Sequence, residues 1–176
     1  MNYHKIEHTS IANGEGIRVV LWVSGCSLHC RGCHNPETWD FNSGRLFDNE
    51  AKKELFKALD KSYIKGITFS GGHPLEYENV EDIYNLVLEI KEKYPSKDIW
   101  LYTGYRYEDI IEPKNCKLNN THLLRAIVIK MCDVVVDGNY VEELRDITLK
   151  FRGSSNQRVI DVKKSLKQNK VVLYCD

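Results

Sequence analysis

The chain has 176 residues, 42% hydrophobic and 28% charged, a length that suits one domain over residues 1–176 and a composition that excludes disordered and fibrous classes. Its 25 Lys and Arg balance 25 Asp and Glu, so no strong positive field favours nucleic acid as a partner. Residues 1–10 lack the apolar stretch of a signal peptide and no apolar run approaches the ~20 residues of a membrane span, so a soluble, cytoplasmic protein is expected.

In chain order, Gly14-Glu15-Gly16 reads as a turn: it precedes a strand and lacks the third glycine of a nucleotide loop. Residues 17–24 (IRVVLWVS) are β-branched and close to continuously apolar, which predicts a strand covered on both faces, with Trp22 in the core. Cys26, Cys30 and Cys33 follow on the loop leaving this strand, and Pro36 and Gly44 extend that loop. A helix is expected over about 49–62, with Ala51, Leu55, Ala58 and Leu59 on one face. Residues 67–70 form a short strand that ends at Gly71-Gly72. The next helix covers about 79–94, capped by Asn79 and stopped by Pro95, with Val80, Ile83, Val87 and Ile90 as its stripe. A strand at 99–102 closes at Gly104; a helix after Gly104, a loop around 113–120 and a helix from about 121 come next. A strand at 134–136 ends at Asp137-Gly138, and two short apolar pieces, 159–162 and 171–174, finish the chain.

Strands alternating with helices predict βαβ units and an α/β fold with a mostly parallel sheet. Four clear strands, six with the tail pieces, are too few for a closed eight-stranded barrel, so an open, partial βα barrel is the expected architecture. Ligands of parallel sheets bind beyond the C-terminal strand ends. The cysteine loop, Ser70-Gly71-Gly72-His73-Pro74, Thr103-Gly104-Tyr105 and Asp137-Gly138 all fall there.

Without a secretion signal, the six cysteines point to metal or catalysis before disulfides. Three of them make a C-x3-C-x2-C run whose thiolates can converge from one loop. A fully ligated [4Fe–4S] cluster takes four thiolates, so three leave one iron open to a substrate. Zinc is the alternative, with His29 or His34 completing a Cys3His set. Cys132 reads as a small buried hydrophobe, and Cys116 and Cys175 receive no role.

C-x3-C-x2-C after the first strand resembles the radical S-adenosylmethionine enzymes. Six stretches resemble more narrowly the activating proteins of anaerobic (class III) ribonucleotide reductases: 13–18 (NGEGIR), 23–26 (VSGC), 33–40 (CHNPETWD), 100–105 (WLYTGY), 136–140 (VDGNY) and 151–158 (FRGSSNQR). The matches run from near residue 13 to about 162. The resemblance implies a partial barrel of the radical S-adenosylmethionine type. It implies a [4Fe–4S] cluster on Cys26, Cys30 and Cys33, whose open iron binds the methionine part of S-adenosyl-L-methionine. Reductive cleavage would give a 5′-deoxyadenosyl radical, which takes a hydrogen atom from a glycine near the C-terminus of the reductase large subunit. The electron would come from reduced flavodoxin or a similar donor.

By the same resemblance, Gly32, Cys33 and His34 face the adenine, while Ser70, Gly71, Gly72 and His73 face the cofactor's amino group. The chain departs from the superfamily pattern twice. Gly32 stands where an aromatic residue is common, and His73 replaces the usual glutamate, so its side chain offers no carboxylate. Gly71-Gly72 is expected to serve the cofactor more than the fold. Trp39, Arg152 and Arg158 are candidate anchors for the reductase, with Trp39 packed under its own loop as the alternative. Three other readings stand beside this one: an activase of another glycyl-radical enzyme such as pyruvate formate-lyase, a radical enzyme of a small molecule, and a non-catalytic zinc-binding module.

Overall fold

The computed structural model describes residues 1–113 and 119–175. Cys116 and most of the loop expected at 113–120 lie outside the described residues. Four parallel strands form the centre: β2 (Arg18–Val23), β4 (Gly66–Gly71), β5 (Asp98–Tyr102) and β6 (Val134–Asp137). Each is rich in the β-branched and aromatic residues that fill a pleated, two-sided surface. The register sets Arg18 beside Gly66 and Gly66 beside Asp98 at the N-terminal ends, and Val23 beside Gly71 at the C-terminal end.

Antiparallel strands flank this centre. One flank adds β1 (Asn2–Ser10) and β3 (Arg45–Leu46), the other β7 (Arg158–Asp161) and β8 (Leu173–Cys175), giving the order β3-β1-β2-β4-β5-β6-β7-β8. The sheet is therefore mixed, parallel only in the middle, and open at β3 and β8. Strand β1 had no counterpart in the sequence reading because its residues are mostly polar; it is held by backbone pairing to β2 with Tyr3 and Ser10 buried.

The helices are α1 (Asn49–Leu59), α2 (Val80–Lys93), α3 (Tyr107–Ile111), α4 (Asn120–Met131) and α5 (Val162–Gln168). All five contribute to one core with the strand side chains of one face: Val19, Leu21, Val23, Ile67, Phe69, Ile99, Leu101, Val135 and Ile160. Parallel strands stepping in one direction through right-handed connections place every crossover helix on the same side. Asp48 caps α1 by accepting from Glu50 and Ala51 N–H, as the Ncap rule requires. Asn79 sits at the start of α2 without capping it; its side-chain amide donates instead to the Ser24 and His73 carbonyls. Helix α5 is a departure from the two apolar tail pieces: Val162 begins it, with Asp161 as its cap.

The opposite face of the sheet carries Arg18, Thr68, Trp100, Val134, Val136 and Val159. Arg18 is fully buried, yet every part of it is engaged. It is paired with Asp98 at 2.6 Å, donates to Thr68 Oγ1 (2.9 Å) and to the Ile67 and Glu15 carbonyls, and lies over the Trp100 ring. This closes the N-terminal end of that face, because a buried guanidinium is tolerable only when its donors are met. Among the described residues no helix is long and apolar enough to cross a membrane.

Candidate functional site

At the other end of the same face, the loops leaving β2, β4, β5 and β6 border an open cavity of about 400 Å³. That volume is within the usual range for small-molecule sites. Cys26, Cys30, Cys33, His34, Ser70, Gly71, Gly72 and His73 all line it. Gly32 does not; it is exposed, beside Tyr140 and Glu142. Trp22 departs from the expected core position: its ring forms part of the cavity wall, and its Nε1 donates to Glu7 (3.0 Å).

The cysteine loop is fastened at its root by backbone. Gly25 N–H donates to Thr38 O (2.7 Å) and Cys26 N–H to Trp39 O (3.1 Å), which closes the loop on itself. His73 N–H then donates to Gly25 O (2.7 Å) and Gly72 N–H to Val23 O (2.8 Å), which fixes the glycine turn against it. The buried Asn79 amide ties both, donating to Ser24 O (2.8 Å) and His73 O (3.1 Å). The glycines also serve the fold more than expected. A Cβ at Gly72 would lie 2.6 Å from Gly25 O and 2.9 Å from Thr38 O, and Gly71 has a φ of 104° with no room beside Val23. Only glycine lets these two backbones approach.

His73 leads to a carboxylate after all. Its ring is buried between Glu76 (Nδ1 to Oε1, 3.1 Å) and Thr103 (Nε2 to Oγ1, 2.8 Å), edge-on to Tyr105. Glu76 Oε1 also accepts from Ser27 N–H (2.9 Å) and Ser27 Oγ–H (2.7 Å), in the cysteine loop. Burial alone would raise the Glu76 pKa, but the bonds from His73 and Ser27 overcome it and hold the group at about 2. Burial lowers His73, against the pull of Glu76. The pair is therefore a carboxylate and a neutral imidazole. An ionised carboxylate only accepts, so Nδ1 carries the proton, Nε2 accepts, and Thr103 O–H donates to it.

The donor chemistry of the three thiols suits an iron–sulfur group. Burial pushes the Cys26 and Cys30 thiols up, while backbone N–H groups favour their anions: Leu28 and His29 at Cys26, Tyr140 at Cys30. Asn35 N–H donates to Cys33 Sγ (3.4 Å). Hydrogen bonds to sulfur are one means by which proteins tune such clusters. Among the described residues no three His, Cys, Asp or Glu side chains converge tightly enough to grip a single ion. His29 is turned aside, stacked on Trp39 with ring centroids 4.7 Å apart.

That stack places Trp39 against its own loop. Arg158 is also engaged internally: it holds both Glu108 oxygens (2.9 and 2.7 Å) and Asp137 (3.0 and 2.5 Å), and Glu108 is drawn down to about 2, first by that bond. Arg152 is half-buried, and its Nε meets no partner among the described residues. Cys132 is buried at the end of α4, as a small hydrophobe would be, and Cys175 pairs with Val159 at the sheet edge. Glu76 and Ser27 were not singled out from the sequence; Asn79 was expected only as a helix cap, and Thr103 only as part of a rim loop. The run His73-Pro74-Leu75-Glu76 with Asn79 three residues on held the signal: polar groups at successive i+3 steps beside a glycine turn.

A family model described as a 4Fe-4S single cluster domain matches residues 12–160. The chain is similar to the anaerobic ribonucleoside-triphosphate reductase-activating protein of Enterobacteria phage T4, 44% identical over 159 residues, 90% of this chain and 93% of that one. The protein of the same name from Escherichia coli is 42% identical over 161 residues, covering 90% of this chain and 97% of its own. That of Haemophilus influenzae is 38% identical over 159 residues, covering 89% and 96%.

Proposed function

The chain belongs to the family of anaerobic ribonucleoside-triphosphate reductase-activating proteins with a 4Fe-4S single cluster domain, and from that premise we propose that it installs a glycyl radical on an anaerobic ribonucleotide reductase. The observation that carries this reading is the cavity itself, where Cys26, Cys30 and Cys33 face the Ser70–His73 turn over the ends of four parallel strands. In this reading the three cysteines hold the [4Fe–4S] cluster. Cys33 and His34 flank the adenine of S-adenosylmethionine with Gly32 behind them, and Ser70, Gly71, Gly72 and His73 flank its methionine end. When bound, the two groups supply the electron and the hydrogen-abstracting radical. The protein's own residues supply placement, for which an error of about 1 Å can cost ~100-fold, and walls that exclude water. The match to a cluster domain removes the basis for the zinc reading.

The five helices on one face and the open edges at β3 and β8 support a partial barrel of the radical S-adenosylmethionine type, one domain over 1–176. The electron donor in this reading is reduced flavodoxin or a similar cytoplasmic protein. The decisive experiment is anaerobic incubation with the reductase, reductant and S-adenosylmethionine, followed by electron paramagnetic resonance. A glycyl-radical doublet on the reductase is expected. Its absence with a fully loaded cluster, or its appearance only on a pyruvate formate-lyase-type enzyme, would sink the assignment.

A further inference from the structure

Two of the motifs, VDGNY at 136–140 and FRGSSNQR at 151–158, meet around one ring. The loop after β6 carries Tyr140 to the cysteine loop. There its ring fills the space beside Gly32: a Cβ at Gly32 would lie 3.2 Å from Tyr140 Cε1 and would strike Glu142. The Tyr140 hydroxyl donates to Glu142 Oε2 (2.7 Å). On the other side, a Cβ at Gly153 would lie 3.1 Å from Tyr140 Cδ2, so the ring occupies a slot between two glycines from distant parts of the chain.

The second motif holds the loop in place. Gln157 Nε2 donates to Gly138 O (3.0 Å), while its Oε1 accepts from Gly153 N–H (2.9 Å) and Ser154 N–H (3.2 Å). Asn156 Nδ2 donates to Asn139 O (2.8 Å). A half-buried aromatic ring is thus fixed on the cavity wall, with the His34 ring 5.7 Å away and tilted by 44°. Nothing in the core needs it there. An aromatic pair at one end of a cavity, near a polar turn at the other, suits a ligand with a flat heteroaromatic ring at one end and a charged group at the other.

We infer that Tyr140, set against Gly32 and held by Glu142 and Gln157, is the aromatic wall that receives the adenine ring of S-adenosylmethionine. The inference rests on the function proposed above and deepens it: the aromatic surface that Gly32 lacks is delivered by a separate loop.

The test is equilibrium binding to the anaerobically loaded protein, with iron content and thermal unfolding recorded on each sample. Tyr140→Leu should weaken S-adenosylmethionine and 5′-deoxyadenosine about tenfold, the usual scale of one base–aromatic stack, and leave methionine binding unchanged. Tyr140→Phe should restore binding to within about threefold, since the ring is kept. Gln157→Ala should give a smaller loss for the same two ligands, and it decides the matter if Tyr140→Leu does not fold. Wild-type adenosine affinity in Tyr140→Leu overturns the inference, as does a loss that extends equally to methionine or follows iron content downward. For a Tyr140→Leu that does not fold, wild-type binding by Gln157→Ala overturns it instead. Failure of the wild type to bind S-adenosylmethionine at all is a different result. It overturns the proposed function itself, and the inference with it.

Discussion

The two faces of the central sheet are built from the same four strands and differ in almost everything else. On the helix side, Leu21, Ile67, Phe69, Ile99 and Leu101 are fully buried in one apolar core. On the cavity side, the alternate positions of the same strands hold Arg18, Trp22, Thr68, Ser70 and Tyr102, each with a polar atom. Strand side chains alternate faces, so one short run such as Ile67-Thr68-Phe69-Ser70 serves both purposes. The helix face is held by burial, which is non-directional and depends little on pH. The cavity face adds to a smaller apolar cluster of Trp100, Val134, Val136 and Val159 a set of hydrogen bonds and ion pairs, which fix positions and respond to protonation.

The sharpest break between the faces should come at adjacent residues of β4. Phe69→Ala removes a ring from the helix core, where such truncations cost ~3–5 kcal/mol. Ser70→Ala, on the cavity wall, should change stability by less than ~0.5 kcal/mol while weakening S-adenosylmethionine binding. Urea unfolding of both variants, paired with a binding titration, reads the contrast directly. Equal losses of stability would mean that the cavity wall is ordinary core.

The next effect tests whether the cavity side is pH-sensitive. Glu76 is held at about 2, against an ordinary value of 4.5, at a site where little solvent reaches it. A carboxylate held low adds stability that is complete above pH 4.5 and is lost as the pH falls toward about 2, here ~3 kcal/mol. Lowering of His73 by burial acts in the same direction, since below its ordinary 6.5 the buried ring resists the proton that the unfolded chain accepts. Glu76→Gln should therefore be ~2–3 kcal/mol less stable than wild type at pH 7, with the gap closing progressively below pH 4.5. Urea unfolding by circular dichroism at several pH values checks it; a gap that stays constant down to pH 3 would mean that the carboxylate's charge is not what holds the turn to the cysteine loop.

How far the sequence could be read follows the same division. The parallel strands and α1 and α2 were legible because burial leaves a periodic apolar signature, and their ends fell within a few residues of the observed ones. Strand β1 was not, because backbone pairing with half-exposed polar side chains leaves no such pattern; β7 and β8 showed as the apolar pieces at 159–162 and 171–174, but not that they run antiparallel. At the site, the residue types were legible and their partnerships were not. Cys26, Cys30, Cys33 and the Ser70–His73 turn could be placed on one rim by topology. That Asn79 would tie two loops, that Glu76 would sit under Ser27, or that Arg158 would be consumed by Glu108 and Asp137 depends on three-dimensional proximity alone.

The smallest change probes whether the two halves of the cavity wall are mechanically one. In Gly72→Ala the added Cβ would lie 2.6 Å from Gly25 O and 2.9 Å from Thr38 O. Both neighbours are backbone atoms, so no rotamer can swing away, and overpacking of this kind costs ~1–3 kcal/mol. The contact is with the root of the cysteine loop, one residue before Cys26, and the same root accepts the His73 N–H. Pushing the turn outward should therefore displace the cysteines as well as the Ser70–His73 side. Cluster yield on anaerobic reconstitution should fall together with S-adenosylmethionine affinity, while Ser70→Ala affects affinity only. A Gly72→Ala protein that takes up a full complement of iron, yet binds the cofactor poorly, would show that the methyl group intrudes on the cofactor and that the loop root yields without moving the thiols. The glycine would then belong to the cavity's contents and not to its frame.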